Sequence, residues 1–230
     1  MKIVIQGATP DEIDKLIAFY NPTKHTQIAS YHFYEAEYNG HTIIIQLTEK
    51  GIINATIATT VAALNFKPDL LINQGCAGGH VPELKLGDIV IAECSKYIND
   101  FKTPPTNAGG GSNSLLWTPH KSRSYATQTT TKYVDIAKQV KTNHTTHVGI
   151  LGSADTFSRE IDRINYLHSC FGHLCEDMES AATMRVCEEF GIDRMAFRVI
   201  SNNELTLIPF DENTRQDMQQ FIIDYIDLIK

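Results

Sequence analysis

Two short stretches carry side chains that could act together: Glu176-Asp177-Met178-Glu179 and Arg198-Val199-Ile200-Ser201-Asn202. The first ends a polar loop and opens a helical pattern, and the second closes an apolar run of strand type. Carboxylates, a thioether, a guanidinium and a carboxamide would then meet at one strand end. A carboxylate accepts the protons of two neighbouring hydroxyls. A methionine offers an adaptable apolar surface, and an arginine holds a carboxylate or a water in its rigid fork of donors. This mixture suits a neutral polar ligand with vicinal hydroxyls and a flat face, such as a nucleoside.

Three further turns follow apolar runs. In Gly7-Ala8-Thr9-Pro10-Asp11-Glu12 a strand gives way to a helix start. Asp11 and Glu12 there have two readings: acids that complement the positive end of a helix, or groups that do chemistry. In Asn73-Gln74-Gly75-Cys76-Ala77-Gly78-Gly79 the small residues would let backbone approach a ligand, although any sharp turn after a strand wants glycine. In Gly152-Ser153-Ala154-Asp155-Thr156-Phe157 the aromatic ring either stacks on a planar ligand or belongs to the core.

The elements that would position these turns are short apolar runs alternating with helical patterns. Residues 3–6, 43–47, 70–73, 89–92, 148–151 and 196–200 read as buried strands. Ile53, Ile57, Val61 and Leu64 mark one face of a helix that ends before Pro68, and Ala182, Val186 and Phe190 mark another that stops at Gly191. Met218, Phe221, Ile222, Tyr225, Ile226 and Ile229 give a last helix within 211–229. Such alternation predicts a single α/β domain over residues 1–230, with a mixed, mostly parallel central sheet and helices on both faces. Ligands of such sheets sit at the carboxyl ends of strands. Residues 97–128 break the pattern with a polar, Gly/Pro/Ser/Thr-rich insertion that includes Gly109-Gly110-Gly111 and the single tryptophan, Trp117. A loop this long reads as a lid, a subunit contact or an anchored surface loop.

Composition excludes several classes. The net charge of −7, without a long basic run, argues against a nucleic-acid partner. No apolar stretch approaches a membrane span, and the first residues read as a strand instead of a signal peptide. The five cysteines are odd in number and lack zinc or redox spacing, so free thiols in a reducing cytoplasm are expected. His144 and His147 read as a solvated pair and no metal site is expected.

Taken together, the turns resemble the purine nucleoside phosphorylase/uridine phosphorylase superfamily, and most closely its methylthioadenosine/S-adenosylhomocysteine nucleosidase branch. The resemblance runs from Lys2 to about Ser201. It rests on the start through Glu12, Gly75 to Gly79, Leu86-Gly87-Asp88-Ile89-Val90, Ser153 to Phe157 and Asp177-Met178-Glu179. It implies that Glu12 is the base activating a water, that Glu179 binds the ribose hydroxyls and that Met178 lines the sugar pocket. It also implies that Arg198 orders Glu179 or the water and that Phe157 stacks on the base. Ala8, Cys76, Ala77, Gly78, Asp177, Ser201 and Glu204 are the other residues expected against the substrate. The resemblance implies a purine nucleoside as the small-molecule partner, no metal or organic cofactor, and a homodimer.

Two positions depart from the family pattern. Asn202 stands where the nucleosidases have an aspartate that protonates the departing adenine, and a carboxamide delivers no proton. Three outcomes follow: cleavage of 6-oxopurine nucleosides in the manner of futalosine hydrolases, cleavage of adenine nucleosides with Glu204 or a water as acid, or binding without turnover. Cys76 replaces a serine, and no histidine partner marks it as a nucleophile. Hydrolysis is favoured over phosphorolysis because the first turn has two acids and no arginine to hold phosphate.

Overall fold

The computed structural model describes residues 1–120 and 126–230, so positions 121–125 of the expected insertion lie outside the described residues. The chain opens with β1 (Lys2–Gly7) and α1 (Asp14–Tyr20), followed by β2 (Lys24–Ile28), β3 (Tyr31–Tyr38) and β4 (His41–Leu47). Next come α2 (Ile52–Phe66), β5 (Leu70–Gly79) and β6 (Ile89–Tyr97). The insertion holds β7 (Phe101–Lys102), β8 (Thr118–Pro119) and β9 (Ala126–Gln128). Then follow α3 (Thr131–Ala137), β10 (Thr146–Ser153), α4 (Ile161–Phe171), β11 (Cys175–Asp177), α5 (Ser180–Glu189), β12 (Asp193–Asn202) and α6 (Thr214–Ile226).

The main sheet runs β11-β10-β6-β12-β5-β1-β4-β3-β2, with β9 added alongside β6. Because β11 also pairs with β5, the strands β5, β12, β6, β10 and β11 close into a ring at one end of the sheet. The alternation of side chains along a strand explains the layers. Ile3, Ile5, Ile43, Ile45, Leu70 and Ile72 point to the face covered by α1, α3 and α6. Val4, Ile44 and Leu71 point to the face covered by α2. Runs buried on both faces are therefore continuous in sequence, which is what made them legible.

The expected strands and the three expected helices are all present, and the sheet is mixed. Antiparallel pairing is extensive because β2, β3 and β4 form two hairpins. The turn between β3 and β4 is Asn39-Gly40, with φ of 49° and 78°, and this left-handed pair matches the twist of the flanking strands. One expectation is corrected. Ile53, Ile57 and Leu64 were expected on the buried face of α2, yet Ile53 is 71% exposed and Leu64 59% exposed. The buried face is Ala55, Ala58, Thr59, Ala62, Ala63 and Phe66. Small residues let α2 approach the sheet and α5 closely, which leaves the large apolar stripe outside. Likewise Phe190 ends α5 on the surface.

The insertion folds back onto α4. Arg163 lies over the Phe101 ring at 4.4 Å and the Trp117 ring at 5.6 Å, and its Nη1 donates to the Ser114 carbonyl at 2.9 Å. The Tyr166 hydroxyl donates to the Trp117 carbonyl. Among the described residues, all five cysteines are free, no cluster fit to hold a metal occurs, and no helix is long and apolar enough to cross a membrane. His147 meets Asp88 at 3.0 Å and His144 meets Asp217 at 3.8 Å, so the two histidines serve separate acids.

Candidate active site

The carboxyl ends of β1, β5 and β12, with the turn into α5, surround a cavity of about 390 Å³. Ala8, Glu12, Cys76, Ala77, Gly78, Phe157, Asp177, Met178, Glu179 and Ser201, all expected from sequence, line it.

Glu12 is held by backbone. Its Oε2 accepts from the Ala8 N–H at 2.8 Å and the Thr9 N–H at 3.3 Å, and its Oε1 accepts from the Cys76 N–H at 3.1 Å. The carboxylate thereby ties the first turn to β5. Gly75 has to be glycine for this, since a Cβ there would stand 2.7 Å from Glu12 Oε1. Asp11 pairs with Arg215, while Glu12 turns inward to the cavity.

Arg198 lies beneath the floor, 1% exposed, and does not line the cavity. Its Nε is 3.1 Å from Asp177 Oδ2, its Nη2 is 3.6 Å from Glu179 Oε2, and Nη2 donates to Asn73 Oδ1 at 2.5 Å. It stands between the two carboxylates, closer to Asp177 than to Glu179. Asp177 has little capacity left for a ligand. Its Oδ1 accepts from the Ser153 hydroxyl at 2.6 Å and from the N–H groups of Glu179 and Ser180 at 3.0 Å each, and so starts α5. Glu179 accepts from the Gly51 N–H at 3.1 Å through Oε1 and from the Met178 N–H at 3.3 Å through Oε2. Burial pushes its carboxyl up to about 7, against the pull of Arg198, while the charges of Asp177 and Glu12 push the same way as burial. Such a group, ionised above neutrality, can accept two hydroxyl protons.

Met178 is half-buried against this carboxylate, and Phe157, 52% exposed, stands at the cavity mouth. Burial, and then the charge of Glu12, push the Cys76 thiol up, and its Sγ lies 4.0 Å from Thr214 Oγ1. A nucleophilic thiolate is thus disfavoured.

Asn202 is buried and does not itself line the cavity; its Oδ1 accepts from the Ser201 hydroxyl at 3.1 Å and its amide lies against Gly78, and both of those neighbours do line it. Glu204 does not join the site: its carboxylate is 3.2 Å from Arg159 Nε, and it does not line the cavity. The short helical turn that follows β12 carries it away from the floor. No described residue of the insertion lines the cavity either.

Sequence reasoning missed Thr9, Lys50, Glu176, Phe210 and Arg215, which also line the cavity. Arg215 corrects the premise that the first turn has no arginine. It arrives from α6, more than two hundred residues on, and its charge is matched by Asp11. No local signal marks such a pairing. Glu176 lay within the quoted acidic stretch, but its inward aim depends on β11 pairing with β5.

A family model described as the phosphorylase superfamily matches residues 2–227. The 5'-methylthioadenosine/S-adenosylhomocysteine nucleosidase of an Exiguobacterium species is 30% identical over 218 residues, which is 92% of this chain and 90% of that protein. The enzyme of the same name from a Geobacillus species is 30% identical over 204 residues, 88% and 85% of the two chains. Among solved structures, a mutant Helicobacter pylori nucleosidase of this kind with 5'-methylthioadenosine in its active site superposes with a TM-score of 0.83 at 24% identity over 98% of both chains. The native futalosine hydrolase of Helicobacter pylori superposes with a TM-score of 0.84 at 23% identity, over 99% of this chain and 97% of that one.

Replacing Arg198 with methionine leaves Asp177 and Glu179 buried without their cation. Stability at neutral pH should fall by about 3–5 kcal/mol, read from the denaturant midpoint. An unchanged midpoint would show that the guanidinium does not hold the floor.

Proposed function

Because the chain belongs to the phosphorylase superfamily, we propose that it uses water to cleave the N-glycosidic bond of a purine nucleoside. The observation that carries this reading is the opposition of two buried carboxylates in one cavity, Glu12 on backbone donors and Glu179 on Arg198. Glu179 takes the vicinal ribose hydroxyls, with Met178 against the sugar. Its negative charge favours the sugar as positive charge builds at the anomeric carbon. Glu12 holds a water and removes its proton as it attacks. Phe157 stacks on the base. Arg215 is neutralised by Asp11, so the first turn offers no unmatched cation to a phosphate dianion. Methylthioadenosine and S-adenosylhomocysteine are the leading substrates, because the relatives at 30% identity bear that name. Asn202 favours a second reading, a 6-oxopurine nucleoside, and fits the likeness to a futalosine hydrolase fold. The free cysteines suit a cytoplasmic enzyme.

We extend the reading to a homodimer. The exposed stripe of Ile53, Ile57 and Leu64 on α2 lies beside an apolar groove that Ile52, Ala181, Ala182 and Val186 help to line. A second copy is the occupant this stripe fits, and the insertion would then approach the partner's cavity. The Ile57→Asp variant should run as a single chain of 25.7 kDa by light scattering where the wild type runs at twice that mass. A monomeric wild type would contradict the dimer.

Base release is measured in phosphate-free buffer from methylthioadenosine and inosine in parallel. Release from one or both, reduced about 10²–10⁴-fold in Glu12→Gln, is the expected result. A strict need for phosphate would overturn hydrolysis. Release from neither substrate would leave a nucleoside-binding protein.

The pH dependence follows from Glu179. Its ionised form accepts the ribose protons, and its carboxyl sits at about 7. kcat/KM should therefore fall as pH drops below about 7, tenfold per unit once the group is protonated. In Glu179→Gln this acid limb should disappear along with most of the activity.

A further inference from the structure

Of the cavity carboxylates, Glu12 and Glu179 act in the reaction proposed above, Asp177 is committed to Arg198 and the start of α5, and Glu176 has no role there. Glu176 is 6% exposed. Its Oε2 accepts from the Ser158 N–H at 2.8 Å, and its Oε1 accepts from the Ser158 hydroxyl at 3.0 Å. Behind it, His80 Nε2 stands 3.6 Å from Oε2, and His80 Nδ1 lies 2.8 Å from His173 Nε2. His173 Nδ1 is buried and has no partner among the described residues.

The tautomers follow from this orphan atom. Burial, with the neighbouring charges of His80, His168 and Lys96, holds His173 well below the usual histidine range, so the ring is neutral with one proton. A proton on Nδ1 would be a buried donor with nothing to meet. The proton therefore sits on Nε2 and is donated to His80 Nδ1. His80 then carries its own proton on Nε2, facing Glu176. Every group around Glu176 is a donor, which makes the carboxylate an acceptor. It has about four lone-pair directions, and its protein partners leave at least one for a ligand.

The sheet register places this acceptor. Glu176 on β11 pairs with Gly78 on one side, and Asn202 on β12 pairs with Gly78 on the other. Paired residues of neighbouring strands point to the same face, so Asn202, Gly78 and Glu176 form one row. The outer two Cα atoms are two strand spacings apart, roughly 10 Å. The middle position is bare backbone, where a Cβ would come 3.3 Å from Asn202 Nδ2. A flat bicyclic base laid over Gly78 would meet a carboxamide on one side and a carboxylate on the other.

Those two groups distinguish bases. Adenine presents a lone pair at N1, which an ionised carboxylate repels. A 6-oxopurine presents an N1–H donor, with acceptors at O6 and N7 for the Asn202 amide. We propose that Glu176 determines base specificity, accepting the N1–H of a 6-oxopurine whose O6/N7 edge is held by Asn202. The inference rests on the purine-nucleoside reading of this cavity and, within it, selects the 6-oxopurine class over the adenine nucleosides that the relatives' names favour.

The test is calorimetric binding of free hypoxanthine, adenine and 1-methylhypoxanthine to the whole protein and to Glu176→Gln. The wild type should bind hypoxanthine on the order of 10²-fold more tightly than adenine, and N1-methylation should erase that preference. In Glu176→Gln the preference should collapse, because a carboxamide can present either a donor or an acceptor. A wild type that prefers adenine, or that tolerates N1-methylation, would overturn the proposal even if the variant fails to fold. So would a folded variant with an unchanged hypoxanthine-to-adenine ratio. Base binding needs no turnover, which separates the two claims. Hypoxanthine preference without nucleoside cleavage would support this inference and defeat hydrolysis, whereas cleavage without the preference would do the reverse.

Discussion

One buried cation organises the floor of the cavity. Arg198 lies almost wholly out of water between Asp177, Glu179 and Asn73. A lone guanidinium in that place would be prohibitively costly, and so would either carboxylate. Their mutual satisfaction fixes β12 to β5 through Asn73 and to the β11–α5 turn through the two acids. Two carboxylates share one cation, so negative charge remains in excess. Burial and that excess hold Glu179 at about 7. In the proposed reaction the group that grips the sugar is thus an acceptor poised between its two forms at physiological pH.

The sheet turns this local knot into a site. Strands β1, β5 and β12 are parallel, and β5 and β12 run on past the end of β1, so the turn after β1 and the last residues of β5 and β12 share one cavity even though they are far apart in sequence. The bare backbone of Gly75 within β5 lets Glu12 lean across from the first turn and take the Cys76 N–H. Ring closure by β11 then brings a further acid, Glu176, level with Gly78 and Asn202. Most polar atoms here are committed to protein partners. That rigidity is what a site needs in order to orient a water and a sugar without reorganising during the reaction.

Much of this was legible in the sequence because continuous apolar runs and strand-end turns are local signals. The strands, the last helix and the stretches that hold Met178, Glu179 and Arg198 come from such signals, whereas Glu12 was singled out only by the family resemblance. The rest depends on contacts that no local pattern encodes. The face of α2 was misassigned because Ile53, Ile57 and Leu64 are its most apolar residues, whereas close packing on the sheet selects Ala55, Ala58 and Ala62. Asn39-Gly40 was a readable hairpin signal that the search for alternating α/β units passed over. Arg215 reaches Asp11 from the far end of the chain. Glu204 looked available only because it is near Asn202 in sequence, while the turn after β12 hands it to Arg159.

The absence of a carboxylic acid at position 202 shifts the chemical burden. In the proposed reaction, without a positioned acid, departure of the base depends on hydrogen bonds that stabilise it as it gains negative charge and on attack by a water at Glu12. The origin of the new oxygen tests this most directly. The sugar product is formed in ¹⁸O-labelled water with phosphate present and its mass is measured. The account predicts one solvent oxygen in a free sugar. A sugar phosphate lacking the label would contradict it.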